Sequence, residues 1–283
     1  MSSSVLTLLQ LDSNLPPLPD IVQRIEYKIQ NPKTSLVAVA KLIETEPVLT
    51  GRILKLANSV MYSGGRTECK SLSMAIGRLG LETVRELVYS FALSQFDSGS
   101  LMIDTNKFWR HSLSVAILSK ILSKKAKLKT FDQDVAYLAG LMHDIGIIVF
   151  SYLMTDEYDE FLRGLSEENA SLDFLEQMKF EIDHAELGAV FLENSWQISG
   201  IISSALRKHH TEFYPSSKLP RIESIVFVAN CLANNHGNTV GIDVFIENWD
   251  DKFLTGLGIK TDDKEKILEE LDRTIIEIES MLV

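Results

Sequence analysis

Cysteine, proline and positive charge are scarce in this chain, and a long apolar run is missing. Two cysteines in 283 residues, Cys69 and Cys231, are too few for a disulfide-stapled scaffold and read as reduced cytosolic thiols. Lys and Arg number 28 against 39 Asp and Glu, a net charge of -11. That deficit excludes a non-specific nucleic-acid binder, which needs a concentrated basic face, and electrostatic docking on an anionic membrane. The longest apolar stretch, 145–154, is broken by Gly146 and Ser151 and falls well short of the ~20 residues that span a bilayer. Residues 1–11 lack the basic segment of a signal peptide, so the expectation is a soluble, cytoplasmic protein. Neither a glycine-rich phosphate loop nor a Ser-His-Asp arrangement is present. Hydrophobic residues at 45% and charged ones at 24% nevertheless describe an ordinary globular chain with a real core.

What the chain does have is helical period. Alternation at period two is never sustained, and the 7 prolines and 15 glycines fall mostly between segments of helical spacing. Pro19 opens a helix carrying Ile21, Val22, Ile25 and Ile29. Thr34 or Ser35 caps the next, with Leu36, Val39, Ala40 and Ile43. Pro47 opens a third, Leu72–Leu79 form a fourth, and a fifth follows Gly80. Asn58 and Ser59 are expected to end the third helix by local side-chain bonds, and Glu44, Glu46, Arg52 and Lys55 to form a solvated face. The polar stretch Phe96–Thr105 marks a boundary. Beyond it, helices are expected at 106–124, 133–143, 146–153, 157–165, 171–180, 183–193, 199–209 and 219–235. Trp109, Trp196, Met142, Met154 and Met178 read as core, and Ser2–Ser4 as a frayed start. The C-terminal stripe Leu268, Leu271, Ile275, Ile278 and Leu282 predicts an amphipathic helix packed on the body, leaving a homodimer through it open. The division is an N-terminal helical subdomain at 15–95, a second at 106–236 and an extension at 237–283.

Histidines interrupt this pattern. His111, His143, His184 and His209 stand in the apolar stripes of four different helices, and Asp144 directly follows His143. One such residue is ordinarily a hydrogen-bonded core histidine. Four from separate helices beside a carboxylate suggest a convergent cluster, and imidazole with carboxylate suits Zn, Mn or Fe.

The stretch 141–146, Leu-Met-His-Asp-Ile-Gly, resembles the signature of the HD superfamily of metal-dependent phosphohydrolases. The surrounding segments resemble its HD-related output domain branch, HDOD. They are LPPLP at 15–19, ETEPVLTGRILKLANSVMY at 44–62, SLSMAIGRLGLETVREL at 71–87, FWRHS at 108–112, DHAELGAVFLENSW at 183–196 and KHH at 208–210. The resemblance implies an all-α fold, with an N-terminal helical bundle packed beside an HD-like helical core. It implies a bacterial signal-transduction output or interaction module without hydrolase activity, acting through a protein partner. The alternative it leaves is a metal-dependent phosphohydrolase. Carried over position by position, it implies His111, His143, Asp144, His184, His209 and His210 as ligands of one divalent metal (Mn, Fe, Zn or Mg). Asn230 stands where the final aspartate ligand is expected, Ile147 replaces a lysine, and Thr-Glu-Phe-Tyr-Pro follows the His pair in place of a Gly-Tyr-Pro segment. These departures fall on the catalytic parts, so no catalytic residue is assigned.

Overall fold

The structure, a computed structural model, describes residues 5–11, 15–29, 31, 33–65, 67–96, 99–165, 170–198, 200–211, 221–242 and 249–282. Among them there is helix and no strand, so the fold is all-α as the period requires. Two compact units are distinguished, one formed by the described parts of 18–96 and 272–283, the other by those of 1–17 and 97–271. A short helix α1 (Val5–Leu11), which the sequence reading did not anticipate, precedes the prolines and buries Val5 and Leu9.

The first unit contains α2 (Asp20–Ile29), α3 (Leu36–Ile43), α4 (Pro47–Ala57), the single turn α5 (Val60–Ser63), α6 (Leu72–Leu79) and α7 (Leu81–Leu93). Ser35 and Ser71 each accept a backbone N–H three residues on, at 3.2 and 3.3 Å, and so start α3 and α6. Gly80 joins α6 to α7 at φ 85°, a backbone that an L side chain resists. Two expectations are corrected here. Asn58 does not end α4 by local bonding; its amide pairs with both backbone groups of Cys69, at 2.7 and 3.0 Å, and ties the following loop to the helix end. Arg52 is not solvated but half-buried, its guanidinium 4.5 Å above the Phe91 ring.

The second unit contains α8 (Thr105–Lys125), α9 (Thr130–Met142), α10 (Ile145–Arg163), α11 (Leu172–Phe180), α12 (His184–Phe191), α13 (Gly200–Lys208), α14 (Ile222–Asn235) and α15 (Lys252–Gly256). The two helices expected at 146–153 and 157–165 both fall within α10 and are set apart by a kink where Met154 takes the non-helical φ −154°, ψ 54°. The helix expected at 183–193 continues through a π turn, Leu192–Trp196. Trp109, Trp196 and Met142 are buried as expected, but Met178 is 70% exposed because it lies on the outer side of α11. Residues 219 and 220 lie outside the described residues. The stretch 130–163 is long and apolar enough to cross a bilayer by composition, yet 78% of its most apolar window is buried within the fold.

The last helix is α16 (Lys264–Leu282), of which 264–271 group with one unit and 272–282 with the other. Its buried stripe is Ile267, Leu271, Ile275 and Ile278, while Leu268 is half-buried, so the apolar face begins one residue earlier than read. The Leu282 side chain lies outside the described residues.

Candidate metal centre

Each candidate ligand sits at or near a helix end, except His111, which faces inward from the second turn of α8. His143 closes α9, and Asp144 starts α10 without using its side chain as a cap, which leaves the carboxylate available. His184 is the first residue of α12, capped by Asp183, and His209 and His210 follow directly on α13. Glycine sets the spacing: a Cβ on Gly146 would lie 1.9 Å from the His184 carbonyl oxygen, and one on Gly188 would lie 2.9 Å from the Gly146 nitrogen. The starts of α10 and α12 therefore touch backbone to backbone, which brings Asp144 and His184 together.

Asp144 is the hub. Its Oδ2 lies 3.4 Å from His111 Nε2 and 3.2 Å from His143 Nε2; its Oδ1 lies 3.4 Å from His184 Nε2 and 3.1 Å from His209 Nε2. His210 Nε2 approaches His184 Nε2 to 2.8 Å. The donors thus form two groups that share the carboxylate: His111, His143 and Asp144, and Asp144, His184, His209 and His210.

The outward nitrogens decide what the inward ones can do. Nδ1 of His111, His143 and His209 faces the backbone carbonyls of Asn238, Gly140 and Leu206 at 2.6, 2.8 and 2.6 Å. A carbonyl only accepts, so Nδ1 carries a proton, and the Nε2 of each ring is the nitrogen left facing inward as a donor to a metal. The His111 and His143 Nε2 atoms are 3.1 Å apart, a separation at which two lone pairs repel unless a proton or a cation lies between them. Imidazole nitrogens converging on one carboxylate are the donor chemistry of a divalent metal, and the residues present fit such an ion.

Burial pushes the His143 imidazole down to about 4, with Asp144 pulling against it. Burial would raise the Asp144 carboxyl, but the surrounding imidazoles outweigh it and hold the group well below the usual carboxylate range. Burial likewise opposes charge on His184, but Glu176 and Asp144 flank it and raise it well above the ordinary histidine value. The signs give a pH profile. His143 unfolded takes its proton near pH ~6.5, before the folded residue does, so metal-free stability falls from about pH 6.5 to about 4, by about 3 kcal/mol. The contribution of His184 is complete below pH ~6.5 and drains away as pH rises through its folded value. From these two groups, urea midpoints of chelator-treated protein should peak near pH ~6.5 and decline on both sides; a flat profile would contradict the assignment.

All six residues expected as ligands are brought together. Asn230 is buried on α14, and its side-chain oxygen accepts from Asn234 Nδ2 at 2.8 Å, so the atom that would stand in for a carboxylate ligand is already engaged. The sequence reading missed Glu176. Leu172, Glu176 and Phe180 form the buried stripe of α11, and a carboxylate between two apolar residues at i±4 was a legible signal.

Known proteins resemble this chain in sequence and fold. The chain is 27% identical over 223 residues to an uncharacterized protein of Treponema pallidum (strain Nichols), a match covering 76% of this chain and 41% of that protein's length. The crystal structure of an HDOD domain protein of unknown function from Geobacter sulfurreducens is 27% identical with a TM-score of 0.75, covering 98% of this chain and 96% of that one. The MmoQ response regulator from Methylococcus capsulatus str. Bath is 26% identical with a TM-score of 0.51, over 91% and 98% of the two chains. With residues 15–212 matching the HDOD domain, and the HD doublet at the hub of its histidine cluster, the chain belongs to the HDOD family.

Proposed function

We propose that this chain is a bacterial, cytoplasmic signalling module that holds a divalent metal in its interior and acts through a protein partner, without turning over a phosphoester. The observation that supports this reading best is the enclosure of the donors. His111, His143, Asp144, His184 and His209 are at most 5% exposed while His210 is not buried, and a site so largely closed by protein ligands suits an ion that organises structure, whereas catalytic sites keep a coordination position open. Bound against Asp144, His184, His209 and His210, the ion would join the start of α10, α12 and the end of α13, and supply the positive charge that the converging lone pairs call for.

The cations near the motifs support the same reading. Arg207 forms a bidentate pair with Glu193 at 2.7 and 2.9 Å and a further bond to Glu186 at 2.8 Å. Lys208 faces Glu223 at 3.7 Å, and Arg110 bonds Asn238 at 3.2 Å. A phosphoester would have to recruit them away from these partners. Similarity to a response regulator favours a signalling context, and the net charge of -11 argues against nucleic acid or an anionic membrane as the partner.

One observation favours a second reading, a metal-dependent phosphohydrolase: Asp144 offers one oxygen to each of two histidine groups, as a bridging carboxylate does in two-metal hydrolases. Metal content of the purified protein, followed by assays of bis(p-nitrophenyl) phosphate and cyclic dinucleotides with added Mn, separates the two. The expected result is retained metal without turnover above buffer. Mn-dependent hydrolysis that disappears in His143→Ala would establish the second reading instead.

A further inference from the structure

Four histidines of the cluster have a defined outward partner, and one partner differs from the rest. His111, His143 and His209 lean on neutral carbonyls, but His184 leans on a carboxylate: Glu176 Oε2 lies 2.6 Å from its Nδ1. The same oxygen accepts the His184 backbone N–H at 2.7 Å, and Oε1 accepts the Tyr158 hydroxyl at 2.5 Å. Glu176 and Tyr158 are both completely buried, and the Tyr158 ring stacks on Phe150 with centroids 4.9 Å apart. A buried carboxylate held by three donors and walled by aromatics is fixed in place, and through its two bonds it fixes the plane and tautomer of His184.

The charges point to which donor group holds the ion. Asp144 and Glu176 bring two negative charges to the histidines, which matches one divalent cation, and Asn230 adds none. Glu176 stands behind the group of Asp144, His184, His209 and His210, whose four donors match the number that a tetrahedral ion takes; the group of His111, His143 and Asp144 offers three. We propose that Glu176 is a positioning residue, acting through His184, for a single divalent ion held by Asp144, His184, His209 and His210. This rests on the metal-holding reading above.

Equilibrium dialysis of the full chain against Zn and against Co tests it, with the visible spectrum of the Co form as a second readout that folding alone does not move. The wild type should take up one ion per chain. Glu176→Gln keeps the size and an acceptor oxygen but loses the charge; it should bind 10- to 100-fold more weakly, with a shifted Co spectrum and unchanged far-ultraviolet circular dichroism. Tyr158→Phe, which frees one Glu176 oxygen, should weaken binding about threefold or more and decides the matter should the glutamine variant fail to fold. Wild type that takes up no ion overturns both the metal reading and this inference. Wild type that takes up one ion, with folded Glu176→Gln or Tyr158→Phe matching it in affinity and spectrum, overturns the role of Glu176 alone. Uptake of two ions per chain overturns the single seat.

Discussion

Replacing Gly146 by alanine is expected to lower the thermal midpoint by roughly 6–12 °C and to strip the protein of bound metal. The added Cβ would stand 1.9 Å from the His184 carbonyl oxygen and 2.8 Å from the Gly188 nitrogen, both backbone atoms that no rotamer change can move. Relief requires α10 and α12 to separate, and overpacking of this kind costs about 3 kcal/mol or more. Those helices carry Asp144 and His184, so the same displacement pulls the donors apart. Gly51→Ala is the matched control: it lies inside α4, exposed, with nothing within 4 Å of its would-be Cβ, and should hold or slightly raise the midpoint. Thermal melts of the two variants with metal analysis decide the point. A Gly146→Ala protein that melts like the wild type and retains its ion would refute the close-contact account of the site.

Asp144→Asn should abolish metal retention at equal size. Asp144 is 5% exposed and touches four imidazoles, two through each oxygen. The amide removes the charge and turns one acceptor into a donor aimed at lone pairs. Removing one partner from a buried charged arrangement costs about 3–5 kcal/mol, a hundredfold or more in affinity. Competition against a chromophoric chelator measures this, and binding within tenfold of the wild type would mean that Asp144 is no ligand. The effect should exceed that of Glu176→Gln, because Asp144 faces both donor groups and Glu176 only one.

Much of the site was legible before any coordinates. The helical class followed from spacing, and boundaries of α2, α3, α4 and α6 from Pro19, Ser35, Pro47 and Gly80, each of which acts on its own turn of backbone. His111, His143, His184 and His209 stood out because imidazole interrupts an apolar stripe. Glu176 broke its stripe in the same way but went unread, since glutamate on a helix is ordinarily a solvated residue. Asn58 and Arg52 were misread for a related reason: the Cys69 backbone and the Phe91 ring that engage them are brought close by the folding of the chain.

By itself, then, the sequence determined the helices and the kind of donor atoms, because helical period and side-chain chemistry are local properties, while the absence of a carboxylate at Asn230 is what the family resemblance implies. Tertiary structure decided which ring nitrogen of each histidine faces inward, for that depends on carbonyls such as Gly140 and Asn238 and on how they meet the rings. It also decided that Asp144 serves two groups at once and that Glu176 stands behind His184. Those relations arise only where α10, α11 and α12 come together, at a spacing that the Gly146–Gly188 contact sets and that no single segment encodes.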